Sequence, residues 1–234
     1  MTDFVLKRQQ ILSKIEAACK KNARKFEDVQ LLAVSKTHPA DVLRQMYMAG
    51  QRSFGENYLQ EALGKQEQLQ DLDLEWHFIG HVQRNKTKAL ATHFDWVHGV
   101  DRLIIAERLS VQRSDHLSPL NVCIQVNIDG QESKDGCAPV EVPTLVQHIS
   151  QLANIRLRGL MVIPKPDNIS AFMEAKNLFD QVKAQHAQPE YWDTLSMGMS
   201  GDLQEAIAAG STMLRIGTAL FGARENQQAT QKPE

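Results

Sequence analysis

LLAVSKTHP (residues 31–39) is a short apolar run that ends on a lysine and passes directly into a Thr-His-Pro turn signal. Alternate side chains of a strand share a face, so Leu32, Val34 and Lys36 point one way and Leu31, Ala33 and Ser35 the other. If the first set faces the inside of a barrel or a sheet crevice, the Lys36 amine stands at the C-terminal mouth above an apolar floor. Desolvation there favours the neutral amine, which can attack an aldehyde and form a Schiff base. The competing reading is a lysine that caps an edge strand and extends its head into water. Ser35 points to the opposite face, which argues against a Ser–Lys nucleophile pair.

Outward from this run, strand and helix signals alternate. Strands are predicted at 30–35, 52–54, 75–79, 95–98, 121–127, 157–163, 193–197 and 213–216. Helices are predicted at 39–49, 57–70, 84–92, 101–113, 139–151, 169–186 and 202–209. A further helix over 3–24 precedes the first strand. This order predicts an α/β fold, a single (β/α)₈ TIM barrel with an extra N-terminal helix. A doubly wound open sheet is the alternative. In NVCIQVN (residues 121–127), Val122, Ile124 and Val126 are expected to face the helices. Cys123, Gln125 and Asn127 would then face inward, the polar pair nearest the mouth and above an apolar lower layer.

Composition narrows the function classes. The chain has 234 residues, 42% hydrophobic and 23% charged, with a formal net charge of −2. That length supports a large core, and that charge argues against nucleic acid or an anionic membrane surface as partner. Cys19, Cys123 and Cys137 are odd in number and widely spaced, with no CxxC pair, which fits a reducing cytoplasm. No apolar run approaches a membrane span, and Lys7 and Arg8 interrupt any signal-peptide core.

The second chemical signal lies at the far end, in LSMGMSGD (195–202) and LRIGTALFG (214–222). Each joins a predicted strand to a loop of Gly, Ser or Thr. Loops after the last two strands of a barrel often bind phosphate through backbone N–H groups and a helix start. Gly198, Gly201 and Gly217 permit close approach of an anion, and Ser200 and Thr218 add hydroxyl donors. Asp202 is a candidate helix cap. Arg215 sits within the last strand, where an inward guanidinium needs a partner, either a structural carboxylate or a ligand. A closed barrel makes the first and eighth strands neighbours. An aldehyde-reactive amine, a phosphate cradle and a fixed cation side by side suit pyridoxal 5′-phosphate.

LLAVSKTHP, FGENYLQEA, EWHFIGHVQRNK, LRGLMVIP, LSMGMSGD and MLRIGTALFGAR, in this order from residue 31 to 224, resemble the pyridoxal phosphate homeostasis protein family. The resemblance implies one alanine-racemase-type barrel domain over 1–224, with a polar, frayed tail over 225–234. It implies that Lys36 carries pyridoxal 5′-phosphate as an internal aldimine. Met199, Ser200, Gly217 and Thr218 fall in the phosphate loops, Arg215 matches the arginine facing the pyridine nitrogen, and Asn57 matches a residue beside the cofactor. Lys134 matches a basic residue on a mouth loop. His38 and His81 depart from the family pattern, which often has a second lysine and a proline there.

The resemblance further implies a monomeric cytoplasmic carrier that buffers the cofactor and hands it to pyridoxal-phosphate-dependent apoenzymes. The rival is an amino acid racemase. Racemisation needs a base on each face, and alanine racemases take the second from a tyrosine of a separate β-domain. That domain is not expected here, and Tyr47, Tyr58 and Tyr191 match no such base. A Schiff-base aldolase using Lys36 is a third reading. The spacing of His77 and His81 raises a metal pair, without a carboxylate or thiolate at ligand spacing. The RNKTK run (84–88) reads as a solvated face, and Trp76, Trp96 and Trp192 as core or rim packing.

Overall fold

The computed structural model describes residues 3–166 and 168–222. The strands are β1 (Gln30–Val34), β2 (Ser53–Glu56), β3 (Glu75–Phe78), β4 (Trp96–Val100), β5 (Leu120–Val126), β6 (Ile155–Val162), β7 (Thr194–Ser196) and β8 (Met213–Ile216). All neighbours pair in parallel and in chain order, and β8 returns to β1, so the sheet is a closed barrel. The open-sheet alternative is thereby excluded. The helices are α1 (Asp3–Lys21), α2 (Ala40–Met48), α3 (Leu59–Gln68), α4 (Thr87–His93), α5 (Leu103–Gln112), α6 (Val142–Ile149), α7 (Ser170–Val182), α8 (Leu203–Ala208) and α9 (Thr218–Phe221). The short α9 was not foreseen. The predicted tail over 225–234 lies outside the described residues.

Strand alternation sorts the apolar side chains into two cores. Leu31, Ala33, Phe54, Val97, Val122, Ile124, Leu160, Leu214 and Ile216 face outward and pack with Leu43, Leu90, Ile105, Val146 and Ile207 of the helices. Leu32, Ile79, Trp96, Cys123, Met161 and Met213 fill the barrel, with Val34 packed against them. Full burial of such a side chain contributes roughly 1.5–3 kcal/mol. The opposite assignments of Leu32 and its two neighbours are those read from the first strand. Helix α1 buries Ile11, Ile15, Ala18 and Cys19. It packs against α8 and α9, beside the seam where the barrel closes.

The floor of the barrel departs from expectation, because its lower layer is polar. Glu75 Oε2 accepts hydrogen bonds from Ser53 Oγ at 2.7 Å and Gln30 Nε2 at 3.1 Å, and lies 3.0 Å from His77 Nε2. Glu75 Oε1 accepts from Trp96 Nε1 at 3.0 Å. His77 Nδ1 meets His98 Nε2 at 3.0 Å. Arg158 lies over the Trp96 ring and bridges Asn121 and Asp193. These pairings satisfy polar groups that would otherwise be buried at a cost, although the buried His98 Nδ1 has no hydrogen-bond partner among the described residues. Asn127 also differs from its expected inward role. Its amide donates to Gln131 O and Lys134 O, organising the loop beyond β5.

Burial alone would raise the Glu75 carboxyl, but His77, Ser53 and Trp96 outweigh it and hold the group at about 2. His98 is pushed well below the usual histidine range by burial first, then by His77 and Arg215. A base whose folded pKa is depressed binds its proton more readily in the unfolded chain. Stability should therefore fall as the pH drops below the unfolded value of about 6.5, by up to roughly 1.4 kcal/mol per pH unit for one group. Glu75 adds a separate loss, from about pH 4 toward pH 2. His98→Asn should flatten the decline between about pH 6.5 and 5.5, measured by urea unfolding, leaving the part due to His186, which burial also lowers. Parallel profiles for the two proteins would assign the decline elsewhere.

Candidate functional site

Lys36 lies on the turn just beyond β1 and is half-buried. Pro39 is extended at the start of α2, so the Thr-His-Pro signal does end the strand. On the same turn His38 stacks on Phe221 of α9, with ring centroids 4.7 Å apart. That contact ties the loop after β1 to the loop after β8. The ladder between these strands pairs Leu32 with Arg215 and Ala33 with Ile216. Residues three or four positions further on, Lys36 and Thr218 among them, therefore emerge side by side. Helix α9 begins at Thr218, and the first N–H groups of a helix have no partner within it.

A cavity of about 290 Å³ opens at this mouth. Lys36, Asn57, Met199, Ser200, Arg215, Gly217 and Thr218 all line it, joined by His38 and Gly201. Val34, Ile79 and Ile163 supply apolar wall. Sequence reading did not single out Ile79 and Ile163. Their signal was positional, since each follows an outward-facing residue at a C-terminal strand end, Phe78 or Val162, and alternation turns it inward. Lys134 does not line the cavity. Its amine donates to Ile163 O at 2.9 Å and lies 3.6 Å from Asp129. Two clefts of about 500 and 510 Å³ lie at the other end of the barrel and lack this convergence of reactive groups.

Arg215 is the cation under the cavity. It is 5% exposed. Its Nη1 donates to Ser196 Oγ and its Nη2 to Val162 O, each at 2.8 Å. Among the described residues no carboxylate forms an ion pair with it, so the structural alternative of an inward carboxylate is not realised. Burial pushes Arg215 down to about 10, with Asp202 and Cys123 pulling the other way. At neutral pH it remains a cation that donates and cannot accept. Asn57 adds a polar atom of another kind, a buried Oδ1 with no hydrogen-bond partner. An amine, a fixed cation, an unpartnered acceptor and an open Gly/Ser/Thr rim suit a small polar aldehyde carrying an anionic group.

The other candidates resolve into packing. His77 belongs to the floor network, and His81 pairs with Asp135 at 2.9 Å. Among the described residues no group of three or more His, Cys, Asp or Glu is arranged to hold a metal ion. Trp76 and Trp192 join the outer core and Trp96 the inner one. Tyr58 is 56% exposed, and Tyr191 lies at the far end of the barrel beneath Arg156. Among the described residues no helix is long and apolar enough to cross a membrane.

Residues 11–225 match the family model for the alanine racemase N-terminal domain. The pyridoxal phosphate homeostasis protein of Pseudomonas aeruginosa is 53% identical over 220 residues, covering 92% of this chain and 93% of the relative. The chain belongs to the pyridoxal phosphate homeostasis protein family. The structure of PipY from Synechococcus elongatus with PLP bound is 38% identical, with a TM-score of 0.76, covering 90% of this chain and all of that one. Alanine racemase from Corynebacterium glutamicum is 16% identical, with a TM-score of 0.62, covering 91% of this chain and 62% of the racemase. That likeness is one of fold.

In this family member, backbone packing sets two walls of the mouth. A Cβ added to Gly80, in the FIGH motif, would fall 2.4 Å from the Asn57 carbonyl oxygen. Only glycine lets the end of β3 come this close to the segment carrying Asn57. Gly198 has φ +94°, and a Cβ there would fall 2.5 Å from Ala206 Cβ. Its loop is held by Asp202, whose Oδ1 accepts the Met199 N–H at 2.5 Å. Asp202 thus pins the loop rather than capping α8 through its side chain. Gly80→Ala should destabilise by about 1–3 kcal/mol through overpacking. Gly201→Ala, where a Cβ meets nothing, should stay within about 0.5 kcal/mol. Urea titrations of both variants check this, and equal effects would refute the close-packing argument.

Proposed function

We propose that this chain holds pyridoxal 5′-phosphate at the barrel mouth, with the Lys36 amine as covalent attachment point, and serves cofactor homeostasis as a carrier and buffer. The observation that carries this reading is the convergence of Lys36, Asn57, Arg215 and both Gly/Ser/Thr loops on one cavity. Likeness to the Pseudomonas homeostasis protein and to PLP-bound PipY, along nearly the whole length of each, supports it. The bound cofactor supplies an aldehyde carbon and a phosphate.

Each residue then has a role. Lys36 presents a nucleophilic nitrogen at the end of an apolar-floored strand. Ser200, Gly217 and Thr218, with the neighbouring Met199, offer hydroxyl and backbone donors to the phosphate. Arg215 presents donors alone, so a ring nitrogen facing it stays unprotonated and the ring draws electrons less strongly. That favours holding over transforming. Asn57 offers its unpartnered carbonyl oxygen to the polar edge of the ring. Ser200, Gly201 and Thr218 are exposed, which keeps the cofactor's rim reachable for transfer to apoenzymes. The chain is proposed to act as a monomer, since one copy supplies every wall of the cavity. Three buried free cysteines support a reducing cytoplasm as its compartment.

Borohydride reduction of the protein mixed with pyridoxal phosphate, followed by peptide mass spectrometry, tests the attachment point. Wild type should carry one adduct on Lys36. Lys36→Ala should lose it and keep its far-UV circular dichroism. An adduct persisting in the variant at the same stoichiometry would move the attachment elsewhere, and Lys134 would be examined first.

Thr218→Val tests the phosphate cradle. Valine keeps the shape and loses the hydroxyl donor, and a hydrogen bond to a charged group contributes about 1.5–3 kcal/mol. Pyridoxal phosphate retention should fall by about one to two decades, while binding of pyridoxal, which lacks the phosphate, stays nearly unchanged. Equal losses for both ligands would mean that Thr218 shapes the pocket generally.

A further inference from the structure

Both neighbours of Lys36 are tied to one buried ion cluster. Ser35, fully buried, donates from Oγ to Glu56 Oε1 at 2.5 Å. Its carbonyl accepts from Lys65 Nζ at 2.9 Å. On the other side, the Thr37 N–H donates to Glu61 Oε1 at 2.6 Å. Lys65 closes the cluster, with Nζ 2.7 Å from Glu56 Oε1 and 2.6 Å from Glu61 Oε1. An ammonium has three protons, and here it meets three acceptors. Lys65 is only 4% exposed, an unusual state for a lysine on a helix.

The backbone at this point needs holding. Thr37 has φ 69°, a left-handed conformation unfavourable for a β-branched residue. Such strain persists where the surroundings enforce it. A buried ion cluster is not by itself a strong source of stability, and apolar side chains of similar volume often serve as well. Apolar side chains cannot accept the Thr37 N–H or donate to the Ser35 carbonyl. The cluster also reaches a second wall of the cavity, because Glu56 immediately precedes Asn57.

We propose that Lys65 and Glu61 are positioning residues for Lys36, clamping the peptide groups on either side of it so that its amine is held at the mouth. This rests on Lys36 being the covalent attachment point. The clamp acts on bond formation at Lys36 and not on the phosphate cradle, which belongs to the loops after β7 and β8. Covalent and non-covalent capture should therefore separate in variants of the cluster.

Glu61→Ala is the first test, since Glu61 is partly exposed and its removal leaves the Lys65–Glu56 pair in place. Capture of pyridoxal phosphate as a borohydride-reducible adduct should slow by about tenfold, as expected for loss of a hydrogen bond to a charged group. Affinity for pyridoxine 5′-phosphate, which carries an alcohol in place of the aldehyde, should stay within about twofold. Glu61→Gln, which keeps a carbonyl acceptor for Thr37, should recover most of the rate. Should Glu61→Ala fail to fold, the Glu56→Gln/Lys65→Met double variant carries the same comparison without an uncompensated buried charge. Equal losses for both ligands, or no loss for either, overturn the proposal. Absence of a Lys36 adduct in wild type overturns the attachment reading, and the clamp with it.

Discussion

The ladder between β1 and β8 is the constraint on which the rest of the structure depends. It sets Leu32 opposite Arg215 and closes the sheet. Without it, the loops after β1 and β8 would stand at opposite edges of an open sheet, and Lys36 and Thr218 would share nothing. With it, the strand ends deliver both loops to one mouth. The outer helices then complete the burial that makes closure stable, through the layer that includes Phe54, Val97, Ile124 and Leu214. Helix α1 covers the seam by packing on α8 and α9.

The barrel is filled in two chemical regimes. Its middle is apolar, with Leu32, Cys123, Met161 and Met213. Its floor is a hydrogen-bonded network centred on Glu75 and His77. Arg215 sits above, anchored by neutral oxygens of Ser196 and Val162. A buried carboxylate beside it would neutralise the cation, whereas neutral acceptors fix its direction and leave its charge available to a ligand. Hydrogen bonds hold the walls of the mouth in a similar way: Asp202 pins the Met199 loop, and Glu56, Glu61 and Lys65 pin the segment around Lys36. The reactive side chains stand on backbone fixed from below and behind.

Much of this was legible in the chain. The order of strands and helices follows from periodicity and turn residues, which act locally. The facing of Leu32 and Lys36 follows from the two-residue repeat of a strand. Family motifs drew Asn57, Met199, Ser200, Arg215, Gly217 and Thr218 into one site, and these residues line one cavity. Local signals were weakest where structure is set by distant partners. The polar floor was missed because Glu75, His77 and His98 look like scattered polar residues until the barrel brings them together. The role of Asn127 was missed because its partners lie in a loop with no periodic pattern. Helix α9 is a single turn, too short for periodicity to register.

The sequence by itself determined the class of fold, the alternation of faces and the identity of the chemical groups, because these rest on interactions between near neighbours in the chain. Tertiary structure alone decided which groups meet. It gave Arg215 a hydroxyl and a carbonyl instead of a carboxylate. It left Asn57 Oδ1 without a partner beside the cavity. It gathered Lys65, Glu56 and Glu61 around the two peptide groups that flank Lys36. Those outcomes depend on strand register, ring closure and the close approach allowed at Gly80, which are properties of the packed barrel and of no single segment.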